Sequence, residues 1–108
     1  MTTTLIDLKT VTRDDRDVRI ALAGELDFHT AGQVGPRLRE LAESDCRKLV
    51  LDLCGLSFCD SAGIDLLLGL NRRCRRAGIR LLLCDVPPLV VKSMRVLRVD
   101  RDLSFVVS

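Results

Sequence analysis

The sequence predicts an α/β fold whose strands and helices follow the order β-β-α-β-α-β-α-β. Two patterns predict it: short apolar runs of strand length alternate with longer stretches in which apolar residues recur every three or four positions. With 47% hydrophobic content, residues 1–108 suit a single domain with one buried core. The sequence has no Trp or Tyr and three Phe, so we expect that core to be aliphatic.

The first half of the chain reads as a hairpin followed by a helix. Residues 5–11 and 18–22 have strand character, and the acidic segment 14–17 between them supplies the turn. Thr30 is predicted as the N-cap of the helix that follows. Pro36 removes a helical hydrogen bond, so we expect this helix to start late or to be kinked near that residue.

The centre of the chain reads as a β-α-β unit. Residues 49–53 form an almost unbroken apolar run, which is typical of a strand covered on both faces. An apolar stripe at helical spacing then extends from Gly63 to Ala77, and Gly78 ends that helix. Residues 79–84 read as the next buried strand, and the crossover between two such strands is right-handed in nearly all proteins.

The last third of the chain is predicted to add one helix and one strand. Pro87 and Pro88 open the helix, because proline is tolerated in a first turn. Residues 103–107 read as the last strand. The expected inner face of the helix consists of Val90, Met94 and Leu97.

The sequence predicts a cytoplasmic protein with reduced thiols. Its first residues lack the basic and apolar regions of a signal peptide, and no window approaches the roughly 18 apolar residues of a membrane span. The five cysteines include no C-x-x-C pair, which favours structural thiols. One histidine and scattered cysteines give no metal-ligand spacing, and no phosphate-binding glycine motif is present, so we predict no cofactor or metal.

The charge distribution is uneven although the net charge is +2. Residues 1–71 carry 8 basic and 12 acidic side chains, whereas residues 72–108 carry 9 basic and 3 acidic ones. Four of the arginines close the second helix, where positive charge complements the helix dipole. No aromatic residues interleave with them to stack on bases, so we interpret them as a solvated helix end and predict no nucleic-acid binding.

Ser61 lies where the central strand gives way to the second helix. A hydroxyl there is beside the free N–H groups and the positive dipole end of the helix, so it suits a helix cap or an anionic modification. Residues 59–63 differ from the nucleophile elbow G-x-S-x-G only at the first position. That fold needs a histidine after the serine, and the sole histidine, His29, precedes it, so we predict that the protein is not an enzyme.

The outer face of the second helix leaves two interpretations open. Ile64, Leu68 and Arg72 follow Ser61 at spacings of three, four and four, which places the four residues on one strip. An exposed Ile–Leu pair beside a hydroxyl would be a docking surface. The alternative is a helix with a broad apolar face that packs against the third helix.

Two segments of the sequence resemble a known family. Residues 23–31 contain G-E-L-D followed by T-A, and residues 58–64 contain F-x-D-S-x-G. Together, and in this order, they resemble the STAS domain of bacterial anti-sigma factor antagonists, and the similarity spans nearly the whole chain. The resemblance implies the STAS fold, in which a mixed central β-sheet of four to five strands has its helices packed mainly on one face.

The resemblance also implies a regulator that switches partners. The family's phosphorylated serine corresponds to Ser61, and Asp27, the aspartate of G-E-L-D, would lie close to it. The unphosphorylated protein would bind an anti-sigma factor that is also a serine kinase and so release a sigma factor, and a serine phosphatase would restore the hydroxyl. ATP and Mg²⁺ would belong to the kinase. The expected partner-binding residues are Asp27, His29, Phe58, Asp60, Ser61, Ile64, Leu68 and Arg72.

Three departures from the family pattern bear on this expectation. Asp65 stands where a small residue is common and adds negative charge one turn beyond Ser61. Arg98 stands where a glycine often follows the third helix. The family's final helix has no counterpart before Ser108, so either a partner or a second copy in a weak homodimer covers apolar sheet surface, or the first helix suffices.

Two other functions stay open from the sequence. The domain would be a sensor if it bound a small anion or a nucleotide at the N-terminus of the second helix. It would be a structural subunit of a larger signalling assembly if Ser61 served only as a helix cap.

Overall fold

The structure, a computed structural model that describes residues 6–14 and 16–107, has the predicted element order. A short 3₁₀ turn at Asp100–Asp102 precedes the last strand. Residue 5 of the predicted first strand and residue 15 of the predicted turn lie outside the described residues. The elements are β1 (Ile6–Asp14), β2 (Asp17–Leu26), α1 (Phe28–Ala42), β3 (Lys48–Cys59), α2 (Ser61–Ala77), β4 (Arg80–Cys84), α3 (Pro88–Val96) and β5 (Phe105–Val106).

The strands form one mixed sheet in the order β1-β2-β3-β4-β5. The β1–β2 pair is antiparallel, and each later pair is parallel and bridged by one helix. Because such crossovers are right-handed and all three advance in one direction, their helices lie on the same face of the sheet. The predicted mixed sheet with its helices on one face is confirmed.

The burial of β3 shows which face the helices cover. Leu49, Leu51 and Leu53 are fully buried, whereas Val50 and Asp52 between them stay partly exposed. The expectation of a strand covered on both faces is therefore wrong, and the apolar Val50 alone hid the alternation in the sequence.

The start of α1 differs from the prediction. Asp27 is the N-cap, and Thr30 lies three residues later, where its Oγ1 accepts a hydrogen bond from the Asp27 N–H at 2.9 Å. The Asp27 carboxylate in turn accepts one from the Thr30 N–H, also at 2.9 Å, which completes a capping box. Pro36 lies inside the helix on its exposed side, so of the two expected effects of this proline the late start is wrong.

Two strands and one helix end also differ from expectation. β3 does not end at Leu53 as predicted but continues to Cys59. Its pairing with β2 is irregular around Gly55, and the apolar pattern of the strand breaks at that glycine. β5 is shorter than predicted: it comprises Phe105–Val106, and residues 103 and 104 before it belong to neither the strand nor the 3₁₀ turn. Leu97 follows the end of α3 and is 49% exposed, so it does not belong to the inner face formed by Val90 and Met94.

The core between the sheet and the helices is aliphatic, as predicted. Its largest fully buried side chains are leucines and isoleucines from β2, β3, α1 and α2, together with Leu83 and Met94. All five cysteines are free thiols, and Cys54 is the exposed one. Within the described residues, no helix combines the length and apolar character that crossing a bilayer requires.

Candidate functional site

Two helix N-termini meet at one edge of the sheet. β2 ends at Leu26 and α1 is capped by Asp27, while β3 ends at Cys59 and α2 is capped by Asp60. The two strands are parallel neighbours, and the Asp60 N–H donates to the Leu26 carbonyl at 3.1 Å. The chain therefore places two carboxylates and the positive ends of two helix dipoles side by side.

The Asp27 carboxylate is stabilised in its charged form. The backbone N–H of Thr30 is the main cause that lowers the pKa of Asp27 below its usual value. Thr30 is itself buried, and its hydroxyl donates to the Glu25 carbonyl at 2.7 Å. This buried threonine anchors the start of α1 to the end of β2.

The start of α2 is held against the strands by Asp60 and Gly63. The Asp60 carboxylate accepts a hydrogen bond from the Gly63 N–H at 3.0 Å. A Cβ atom at position 63 would lie 2.7 Å from the Leu26 carbonyl oxygen and 2.8 Å from the Cys59 sulfur. Only glycine lets the helix begin this close to the strand ends, which explains the glycine of the F-x-D-S-x-G segment.

Ser61 is the first residue of α2 and is exposed. Asp60 occupies the capping position, so the interpretation of Ser61 as only a helix cap is wrong. Within the described part of the chain, the Ser61 hydroxyl has no hydrogen-bond partner. Its oxygen is therefore free to react or to be covered by another molecule.

Ser61 lies in a groove between α2 and α3, which we call the Ser61 groove. The groove has a volume of about 350 Å³, and a second cleft of about 530 Å³ adjoins it through Cys59, Lys92 and Ser93. Large apolar side chains stand exposed around the two: Leu89 at 78%, Val96 at 73% and Phe58 at 49%. The residues that line the Ser61 groove are Cys59, Asp60, Ser61, Ile64, Lys92, Ser93, Val96 and Leu97.

Comparison with known proteins decides the family. Residues 9–107 match the family model described as "Mlab, STAS domain". The chain belongs to the STAS domain family.

The STAS domain has relatives with an assigned role. Over 72 residues it is 36% identical to an anti-sigma F factor antagonist of Paenibacillus polymyxa. The aligned residues cover 66% of this chain and 62% of that protein. The match thus spans less than two thirds of the relative's length.

Solved structures are also similar to the STAS domain. The anti-sigma factor antagonist SpoIIAA in its unphosphorylated form is 27% identical, with a TM-score of 0.76, over 95% of this chain and 87% of that one. The Bacillus cell fate determinant SpoIIAA in its phosphorylated form is 26% identical, with a TM-score of 0.72, over 95% and 90%. The fold is thus shared with proteins solved in both phosphorylation states.

The STAS domain brings only some of the predicted site residues together. Asp60 and Ser61 line the Ser61 groove, and Phe58 stands beside it in the adjoining cleft. Ile64 also lines the groove but is 1% exposed, so the expected exposed Ile–Leu pair is wrong. The alternative, a broad apolar face, describes this helix better, but α2 packs mainly against α1 and not, as that alternative had it, against α3.

The remaining predicted residues lie outside the Ser61 groove. Asp27 caps α1, and His29 is exposed on the first turn of that helix, 3.4 Å from the side chain of Gln33. Leu68 is half-buried and Arg72 is exposed, both further along α2. They extend the surface around the groove rather than form its walls.

The sequence did not reveal the wall of the groove that α3 of the STAS domain supplies. Lys92, Ser93, Val96 and Leu97 all line it. The available signal was an excess of apolar residues near the end of α3, because Val90 and Met94 already complete its buried stripe. Only the packing of α3 beside the start of α2 brings these residues to Ser61.

Proposed function

We propose that this chain is an anti-sigma factor antagonist that is switched by phosphorylation of Ser61. Unphosphorylated, it binds an anti-sigma factor kinase over the Ser61 groove and releases a sigma factor. The observation that carries the proposal is the free, exposed Ser61 hydroxyl on the rim of a groove with apolar walls. The assigned role of the Paenibacillus relative supports the same function.

The switch follows from the cost of burying a phosphate at an interface. Phosphorylation adds a charge of about −1.5 to −2 at neutral pH. A partner that covers the groove would have to desolvate this charge beside the Asp60 carboxylate and among Val96 and Leu97. Like charges brought together at an interface cost several kcal/mol, and each 1.4 kcal/mol is about tenfold in affinity, so phosphorylation ends the complex.

The free protein tolerates the same phosphate. Ser61 stands at the positive end of the α2 dipole, and Lys92 offers an ammonium group on the facing wall of the groove. The phosphate stays in water when no partner is bound. Phosphorylation therefore changes the binding surface and leaves the fold intact.

The chemistry of the switch belongs to the partners. We propose that the chain is a substrate and not an enzyme, that ATP and Mg²⁺ bind to the kinase, and that a serine phosphatase restores the hydroxyl. Exposed and half-buried side chains near the groove extend the contact with the kinase. They are the exposed His29, Phe58 and Arg72 and the half-buried Asp27 and Leu68. The cytoplasmic location stays a prediction from the sequence.

The test combines phosphorylation with binding. The chain is incubated with purified anti-sigma factor kinases, ATP and Mg²⁺, and the phosphate is located by mass spectrometry. Ser61→Ala should bind the kinase at least as tightly as the unmodified chain, and Ser61→Glu should bind at least about tenfold more weakly by calorimetry. Ser104→Glu adds the same charge at an exposed serine outside the groove and should bind normally.

Two results would contradict the proposal. One is a phosphate on another residue, and the other is equal kinase affinity of Ser61→Ala and Ser61→Glu. Calorimetry of the chain alone with ATP and GTP addresses the sensor interpretation. Nucleotide binding that Ser61→Glu removes would favour a small-anion sensor instead.

A further inference from the structure

Three arginines surround one cleft beyond the end of α3. Arg95, Arg98, Arg101 and Asp100 line this cleft, which has a volume of about 330 Å³. The three arginine side chains are exposed, and within the described residues none of them has an ion-pair or hydrogen-bond partner. We call Arg95, Arg98 and Arg101 the arginine triad.

Arg98 occupies a backbone position that favours glycine. It follows the helix end with φ 60°, its N–H donates to the Arg95 carbonyl at 3.0 Å, and the Val99 N–H donates to the Met94 carbonyl at 3.0 Å. This is the hydrogen-bond pattern of a helix end that glycine usually completes. A residue with a Cβ atom is strained there, and such strain concentrates at functional positions. The long cation at position 98 therefore points to a use of its charge.

The arginine triad adjoins the Ser61 groove. Val96 and Leu97, two exposed residues of that groove, precede Arg98 directly in the chain. A partner that covers Val96 and Leu97 therefore reaches the triad without leaving the surface. The combined surface is apolar at the groove and positive beyond it.

We propose that the arginine triad binds an acidic segment of the protein partner that covers the Ser61 groove. The proposal rests on the proposed function and adds the feature by which this chain distinguishes its own kinase from others, namely an acidic segment on that kinase. Guanidinium groups bind carboxylates through paired hydrogen bonds, and complementary charge favours the right partner and its rate of association. Val96 and Leu97, the exposed apolar residues between the triad and the Ser61 groove, are aliphatic, which suits a protein segment better than nucleic-acid bases.

The first experiment measures kinase binding to two triple variants of equal charge. Arg95→Gln with Arg98→Gly and Arg101→Gln removes the triad. Its control removes three exposed arginines from the last turn of α2 and the start of β4, namely R75Q, R76Q and R80Q. At low salt we expect the triad variant to raise Kd at least about tenfold and the control less than about threefold. The difference should shrink at high salt.

The single variant Arg98→Gly separates charge from folding. Glycine relieves the backbone at this position, so the melting temperature should rise while kinase affinity falls. Equal affinity of Arg98→Gly and the unmodified chain, or equal losses in the triad variant and its control, would overturn the proposal.

A second experiment needs no kinase and separates this inference from the proposed function. A peptide of alternating glutamate and leucine pairs is titrated into the ¹⁵N-labelled chain, with inorganic phosphate and a single-stranded oligonucleotide as rival probes. The largest peptide-induced shifts should fall on Arg98, Arg101 and Leu97, vanish in the triad variant and persist in Ser61→Ala. Shifts centred elsewhere, or tighter binding of either rival probe at the triad, would overturn the inference even if Ser61 proves to be the switch.

Discussion

Gly63 has no room for a side chain at the start of α2. An added Cβ atom would press on the Leu26 carbonyl oxygen at 2.7 Å and on the Cys59 sulfur at 2.8 Å, and a backbone oxygen cannot turn aside. We expect Gly63→Ala to lower the free energy of unfolding by about 3 kcal/mol, measured by urea denaturation. The same variant should also shift Ser61, because α2 must move away from β2.

Gly32 supplies the matched control for this prediction. It is exposed in α1, and a Cβ atom there would have no neighbour within 4 Å. Gly32→Ala should therefore raise the free energy of unfolding by about 1 kcal/mol through helix propensity alone. A similar effect of both substitutions would contradict the close packing of α2 on the strand ends.

The place of Ser61 at the start of a helix was readable from the sequence, and its surroundings were not. Ser61 was identified because the change from strand to helix is a local pattern. The same pattern could not decide whether Asp60 or Ser61 caps the helix, since both side chains accept hydrogen bonds. Ile64 was placed wrongly because a 3.6-residue period gives the faces of a helix but not which neighbours cover them.

The capping box of α1 makes a pH-dependent contribution to stability. The pKa of Asp27 is lowered in the folded chain, so its stabilising effect is complete above the unfolded value of about 3.9 and is lost as pH falls through the folded value. Asp27→Asn keeps an acceptor oxygen but does not titrate. Between pH 6 and pH 3, the melting temperature of the unmodified chain should therefore fall further than that of Asp27→Asn.

Asp65→Asn is the control for the capping prediction. Asp65 is exposed on α2 and, within the described residues, has no ion-pair or hydrogen-bond partner. Its substitution should leave the pH dependence of the melting temperature unchanged. A pH dependence that is identical in Asp27→Asn and in the unmodified chain would show that the capping box does not titrate.

At the scale of elements, the sequence predicted best what local chemistry determines. Gly78 was predicted to end α2, and it adopts φ 74° there. The extent of β3 beyond Leu53 was missed because the Gly55 region pairs irregularly with β2, which depends on a strand distant in sequence. The wall that α3 contributes to the Ser61 groove was missed for the same reason, since it depends on tertiary packing.

The helices of the whole molecule cover one face of its sheet, and the fold leaves one of its five thiols exposed. Cys46, Cys59, Cys74 and Cys84 are buried, and burial raises the pKa of Cys59 and of Cys74 to about 11. Cys54 is exposed in the middle of β3, and a hydrogen bond with Asp52 raises the pKa of its thiol. The reaction of the four buried thiols with a thiol reagent therefore reports on the opening of the fold.

We expect a maleimide near pH 8 to label one thiol per native chain, at Cys54, because its sulfur is exposed and the other four are covered. The raised pKa of Cys54 should slow this labelling, since the thiolate is the reactive form. The remaining thiols should react only at the rate at which the molecule unfolds. Mass spectrometry of the labelled chain, with Cys54→Ser as the unlabelled control, measures both. Fast labelling of Cys59 or Cys74 in the folded protein would mean that α2 separates from the sheet by itself. In that case Ser61 and the groove would move as a unit independent of the rest of the domain.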